Sequence, residues 1–137
     1  ASAVADGGVL LTGGGRSGSV VTPTIVDRVR PGMSLFDQEL FGPAVGIIRG
    51  TSDAEAVQLA NDTPYGLSAA VFTRDLATAL RYTQSLDAGN VMVNWGPLWR
   101  SDLMPYGGLK ASGYGKEGIR YAMEEMTDSK TVVIHGV

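Results

Sequence analysis

Between residues 44 and 94 the chain alternates compact apolar runs with stretches whose apolar residues recur at helical spacing. Ala44–Arg49 is a short apolar run of the kind that forms a buried strand. Ser52-Asp53-Ala54-Glu55 follows as a capping box: the serine hydroxyl can take an amide of the first turn while the glutamate reaches back. It opens a predicted helix with Val57 and Ala60 on one face, ending near Asn61. Leu67–Thr73 is a second strand. Asp75 then caps a second helix in which Leu76, Ala79, Leu80 and Tyr82–Leu86 keep helical spacing, with Gly89 to close it. Asn90–Asn94 is a third strand. Strand, helix, strand, helix, strand with short joins predicts an α/β fold, a mostly parallel sheet with flanking helices and right-handed crossovers.

The flanks are less regular. Ala1–Asp6 before Gly7-Gly8 reads as the tail of a helix stopping on glycine, an unusual way for a domain to begin and one that suggests a piece of a larger chain. Val9–Thr12 is a strand, and Val20–Val29 is a β-branched stretch interrupted by Pro23. Pro31-Gly32 marks a turn, and Leu35–Gly42 is loop or short helix ahead of Pro43. After the third strand, Trp95–Gly115 is a long glycine-rich loop, with a helix around Ile119–Met126 and a last, detached strand over Thr131–Ile134.

A length of 137 residues suits one domain. A net charge of −3 gives no electrostatic reason to expect nucleic acid or an anionic membrane as partner. No apolar run approaches the roughly 18 residues of a membrane span, and no signal peptide opens the chain, so a cytoplasmic location is the expectation. With no cysteine there can be no disulfide, thiolate metal site or cysteine nucleophile within these residues. The single histidine, His135, rules out a multi-histidine metal site, and no metal is expected.

Four stretches carry candidate chemistry. Gly13-Gly14-Gly15-Arg16-Ser17-Gly18 fits the spacing of a dinucleotide fingerprint, but that motif must open a helix whose amides hold the pyrophosphate. Here Ser19-Val20-Val21-Thr22-Pro23 follows, which favours a surface hairpin. In Glu39-Leu40-Phe41-Gly42-Pro43 a loop could present a carboxylate to sugar hydroxyls and a ring to a flat heterocycle. The plainer alternative is a loop glutamate beside a core phenylalanine. Trp95-Gly96-Pro97-Leu98-Trp99-Arg100 could wall a small-molecule pocket, with Arg100 facing an anionic group or Trp99 stacked on it, or could serve packing or a subunit contact. Pro105 to Gly118 is glycine-dense but lacks a phosphate-loop ending; Lys110 there is read as an exposed or ion-paired structural lysine in preference to a catalytic amine, and Glu124 and Glu125 as a solvated helix face.

In order and spacing, Glu39-Leu40-Phe41-Gly42-Pro43, Asn61 to Tyr65-Gly66-Leu67, Gly89-Asn90-Val91-Met92-Val93-Asn94, Pro105-Tyr106-Gly107-Gly108 through Lys110, Ser112-Gly113 and Gly115-Lys116-Glu117-Gly118 resemble the aldehyde dehydrogenase superfamily. Lys130-Thr131-Val132 resembles its closing strand, and the match runs from about Pro23 to the end. The resemblance implies covalent catalysis: a thiolate attacks the aldehyde, hydride passes to NAD or NADP, and a glutamate activates water to release the acid. It implies that Glu39 holds the nicotinamide ribose and that Phe41 lies against the nicotinamide. Tyr106 matches a substrate-tunnel aromatic where phenylalanine is commoner, and Lys116 stands where arginine is frequent. Trp95–Met104, including Trp99 and Arg100, falls on the loop that shapes the substrate pocket.

The resemblance further implies that residues 1–126 are the C-terminal portion of the catalytic domain, that 127–137 are a terminal oligomerisation strand, and that the protein is a homo-oligomer. The family's nucleophile, general base and Rossmann domain precede the matched region, so these residues alone are expected to oxidise no aldehyde. The expected partners are a small aldehyde and the remainder of such an enzyme. The alternative is a stand-alone, non-catalytic interaction module that kept the fold.

Overall fold

The computed structural model describes residues 2–136. The chain divides into two compact units, Ala1–Thr63 and Pro64–Val137, where its length alone suggested one domain.

The first unit opens with helix α1 (Ser2–Ala5) and strand β1 (Val9–Thr12). The fingerprint-like glycines lead into a hairpin of β2 (Arg16–Ser17) and β3 (Val20–Val21), so no helix begins there and no dipole is aimed at a phosphate. Pro23 separates that hairpin from β4 (Thr24–Asp27), as the interrupted β-branched stretch predicted. Helix α2 (Ser34–Asp37) supplies the short helix expected before Pro43. β5 (Ala44–Gly46) then pairs parallel with β4, and β1 pairs antiparallel on the other side of β4. Val26, Val29, Met33 and Ala3 are buried together, with Leu35 and Phe36 packed against them.

Helix α3 (Asp53–Asn61) starts where the capping box required, with the Ser52 hydroxyl accepting from the Glu55 amide at 3.2 Å. The reciprocal half differs in its partner. Glu55 reaches back one residue further, to the Thr51 amide and hydroxyl, which hold its carboxyl below the ordinary value.

At the end of β4, Asp27 is a buried carboxylate that the sequence did not single out. Arg49 grips it with two donors, Nε to Oδ1 at 3.1 Å and Nη2 to Oδ2 at 2.5 Å, and the Arg28 amide adds a third at 2.8 Å. This charge-assisted fork is the reason the carboxylate can leave water, and it ties the ends of two parallel strands together.

The second unit begins with β6 (Tyr65–Gly66) and β7 (Ser68–Val71). Helix α4 (Leu76–Ser85) is capped as expected by Asp75, which accepts from the Thr78 amide at 2.8 Å and its hydroxyl at 2.6 Å. β8 (Asn90–Val93) returns parallel to β7, with Ser68 opposite Asn90 and Val71 opposite Val93. The Trp95–Gly115 stretch is mostly irregular, but β9 (Leu109–Lys110) within it pairs antiparallel with β6. Helix α5 (Ile119–Glu125) comes last. The fold is α/β as predicted, with parallel pairs β4–β5 and β7–β8, β1 antiparallel to β4, and separate antiparallel pairs β2–β3 and β6–β9.

Two expectations need correction. Gly89 does not close α4, which ends at Ser85 with Leu86 extended as its cap. A β-carbon on Gly89 would lie 1.7 Å from the Gly107 carbonyl oxygen, so glycine is required by a close backbone approach. The segment Thr131–Ile134 forms no ladder among the described residues: Val132, Val133 and Ile134 are 68–71% exposed, since a strand needs a neighbour that this chain does not offer it.

Gly89→Ala is therefore expected to cost about 2 kcal/mol or more in chemical denaturation, because backbone must move. Gly96→Ala, whose β-carbon meets nothing within 4 Å, changes stability by no more than about 1 kcal/mol. A second expectation concerns acid. The Arg49 fork, then the Arg28 amide, holds the Asp27 carboxyl below its ordinary value of 3.8. Its stabilising contribution is thus complete above that value and is lost as the pH falls through the lower, folded-state value. Asp27→Asn should lower the melting temperature at neutral pH, and thermal scans down to about pH 2 should show that deficit shrinking.

Candidate functional site

In the first unit, Glu39 and Phe41 lie on the loop between α2 and β5. The loop is short because α2 ends at Asp37 and Pro43 precedes the strand, so both side chains are thrown outward. Phe41 is 93% exposed, so it packs into no core formed by the described residues. Glu39 borders a cleft of about 540 Å³ whose walls include Leu10, Val26, Leu35 and Leu40, with Arg16 among its polar lining. An acceptor-only carboxylate at the rim of an apolar cleft, two residues from a free aromatic ring, suits a ligand with vicinal hydroxyls and a flat heterocycle. Those are the recognition groups of a nicotinamide riboside, and the two residues fit the cofactor that the sequence resemblance implies.

The second unit gathers the substrate-loop candidates. After β8 the chain makes a turn, Gly96-Pro97-Leu98-Trp99, closed by the Trp99 amide on the Gly96 carbonyl at 3.3 Å. Trp95 and Trp99 stand 62% and 49% exposed in this loop. Arg100 follows, with its guanidinium 4.6 Å over the centre of the Tyr106 ring and Nη2 2.8 Å from a Glu117 carboxylate oxygen. Tyr106 and Glu117 are themselves joined by reciprocal backbone hydrogen bonds of 3.1 and 2.6 Å. The arginine is thereby held flat against an aromatic ring with part of its donor fork engaged. Its side chain remains 42% exposed, so donors are left for a carboxylate, phosphate or sulfonate.

Sequence alone gives Glu117 no role in the site. The available signal was an opposite charge across a glycine-dense loop, and sequence separation hid the contact. Lys110 lies 3.9 Å from Asp87, in keeping with an ion-paired lysine. Glu124 pairs with Arg120 on an exposed face, as read, whereas Glu125 does more: it accepts the Lys116 amide at 3.0 Å. No cluster of residues able to hold a metal occurs among the described residues, and no helix among them is long and apolar enough to cross a membrane.

The profile of the aldehyde dehydrogenase family matches residues 1–132. The chain belongs to that family. It is 44% identical over 134 residues to a lactaldehyde dehydrogenase of Methanococcus vannielii, covering 98% of this chain and 29% of the relative. The structure superposes with a TM-score of 0.92 and 41% identity on aldehyde dehydrogenase 21 of Physcomitrella patens, solved with its reaction product succinate, over 97% of this chain and 28% of that one. It superposes with a TM-score of 0.91 and 43% identity on the glyceraldehyde-3-phosphate dehydrogenase of Methanocaldococcus jannaschii complexed with NADP, over 98% and 29% respectively. The chain thus spans between a quarter and a third of the length of these aldehyde dehydrogenases.

Proposed function

We propose that these residues form the C-terminal part of the catalytic domain of an NAD(P)-dependent aldehyde dehydrogenase that oxidises a small polar or anionic aldehyde to its carboxylic acid. The observation that carries the substrate class is Arg100, laid on Tyr106 and tethered by Glu117 at the end of the loop that follows β8. Relatives with this chain's fold act on a hydroxy-aldehyde, a phospho-aldehyde, or yield a dicarboxylate. A guanidinium fork serves each of the two anionic classes by the same bidentate geometry.

When bound, NAD(P) would supply the hydride acceptor that aldehyde oxidation needs. Glu39 accepts hydrogen bonds from the ribose hydroxyls and so fixes the rotation of the nicotinamide end, while Phe41 packs on the heterocycle and keeps water from that face. Arg100 and the two tryptophans orient the aldehyde and exclude water around it. The nucleophilic thiolate and the water-activating carboxylate come from the remainder of the enzyme, since this chain contains no cysteine.

Residues 127–137 form the terminal strand that pairs with a second copy, and the enzyme works as a homo-oligomer. The unpaired, apolar Val132, Val133 and Ile134 support this reading, because such a strand is satisfied by adding to another sheet edge.

In the full-length enzyme, Arg100→Ala should raise KM for a carboxy- or phospho-aldehyde by about tenfold or more, and for a neutral aldehyde by less than about twofold. Equal effects on both classes would remove the anionic-substrate reading. Glu39→Gln should instead raise KM for NAD(P) by about tenfold while the aldehyde KM stays nearly constant.

A further inference from the structure

β7 and β8 run parallel, and the last rung of their ladder sets Val71 opposite Val93. One residue later the backbone of Asn94 takes φ +56°, a left-handed conformation that few residues other than glycine adopt. The Asn94 amide still donates to the Val71 carbonyl at 2.8 Å. Its side chain then does what the backbone of a continuing strand would do. Oδ1 accepts the Thr73 amide at 2.8 Å, and Nδ2 donates to the Thr73 carbonyl at 2.8 Å. One carboxamide thus closes both backbone groups of a residue 21 positions away. The orientation is dictated by its partners, because the opposite flip would set donor against donor.

We infer that Asn94 is the positioning residue of the substrate loop: it ends the sheet, turns the chain outward and fixes the point from which Trp95–Arg100 departs. The loop is held at two points. At its origin the carboxamide clamps Thr73, and six residues later Arg100 is held by Tyr106 and Glu117. Between them lies a turn with Pro97 at its second position, which has little slack to absorb a displaced origin. Few side chains meet all the requirements at this position. Asparagine tolerates the left-handed backbone and carries donor and acceptor at the right reach; aspartate keeps only the acceptor, glycine only the backbone freedom.

This inference rests on the reading that the Trp95–Arg100 loop lines the aldehyde pocket. The test uses the full-length enzyme with Asn94→Gly, which preserves the left-handed turn and deletes the clamp, beside Asn94→Asp and Arg100→Ala. The expected result for Asn94→Gly is a rise in KM for succinic semialdehyde of about tenfold, because the pocket wall is no longer held in register. KM for NAD(P) and kcat at saturation should stay within about twofold of wild type, and Asn94→Asp should recover part of the loss. A merely structural role would move both KM values together with the melting temperature, and that result would overturn the inference. So would an aldehyde KM unchanged in Asn94→Gly. If Arg100→Ala raises the aldehyde KM while Asn94→Gly does not, the positioning role alone falls. If neither variant changes it, the pocket reading falls as well.

Discussion

The backbone at Gly89 passes so close to the Gly107 carbonyl that no β-carbon fits between them. That contact seats the glycine-dense segment directly against the entry to β8, and the Gly89 amide closes the seam with a 2.9 Å bond to Gly66. With the segment anchored there, β9 pairs with β6, and Tyr106 and Glu117 exchange their backbone hydrogen bonds. Those bonds bring the Tyr106 ring and the Glu117 carboxylate to the same place, which is where Arg100 is held. The glycines between residues 107 and 118 have two causes: Gly107 and Gly108 lie close against neighbouring chain, whereas Gly113, Gly115 and Gly118 take positive φ.

The regular elements were legible because each had a local cause. Ser52 and Asp75 cap the helices they announce, and Pro23 interrupts a strand because it has no amide to give. The spacing after Gly18 was enough to reject a dinucleotide fingerprint, since a β-branched run cannot begin the required helix. What stayed hidden depended on partners distant in sequence. The approach of Gly89 to Gly107, the fork of Arg49 on Asp27 and the contact of Arg100 with Glu117 join residues 17 to 22 positions apart, and no periodicity encodes them. The final segment misled for the opposite reason: its composition is that of a strand, yet strand formation requires a neighbour.

The candidate site was legible in its residues and not in its arrangement. Loop position and residue type picked out Glu39, Phe41, Trp95, Trp99, Arg100 and Tyr106. Only the folded chain revealed that Phe41 faces outward and that Arg100 reaches its site already half engaged. Other apolar residues are exposed both within the Trp95–Met104 loop and beyond it: Leu98, Leu103, Tyr114 and Ile119 stand 83–104% exposed. Large apolar side chains left in water mark surfaces suited to burial against a partner, and this chain spans under a third of its relatives' length.

Membership of the aldehyde dehydrogenase family and the absence of any cysteine in these residues lead to one sharp expectation. On the proposed function, Glu39 and Phe41 meet the cofactor and Arg100 meets the aldehyde, while the thiolate nucleophile lies outside these cysteine-free residues. The most direct measurement follows NAD(P)H formation at matched concentrations of the full-length enzyme and of the 137-residue chain, with hydroxy-, phospho- and carboxy-aldehydes. The account predicts turnover by the full-length enzyme and none above background by the chain alone. NAD(P)H produced by the isolated chain would contradict it, because the chemistry would then have to come from residues assigned only to binding.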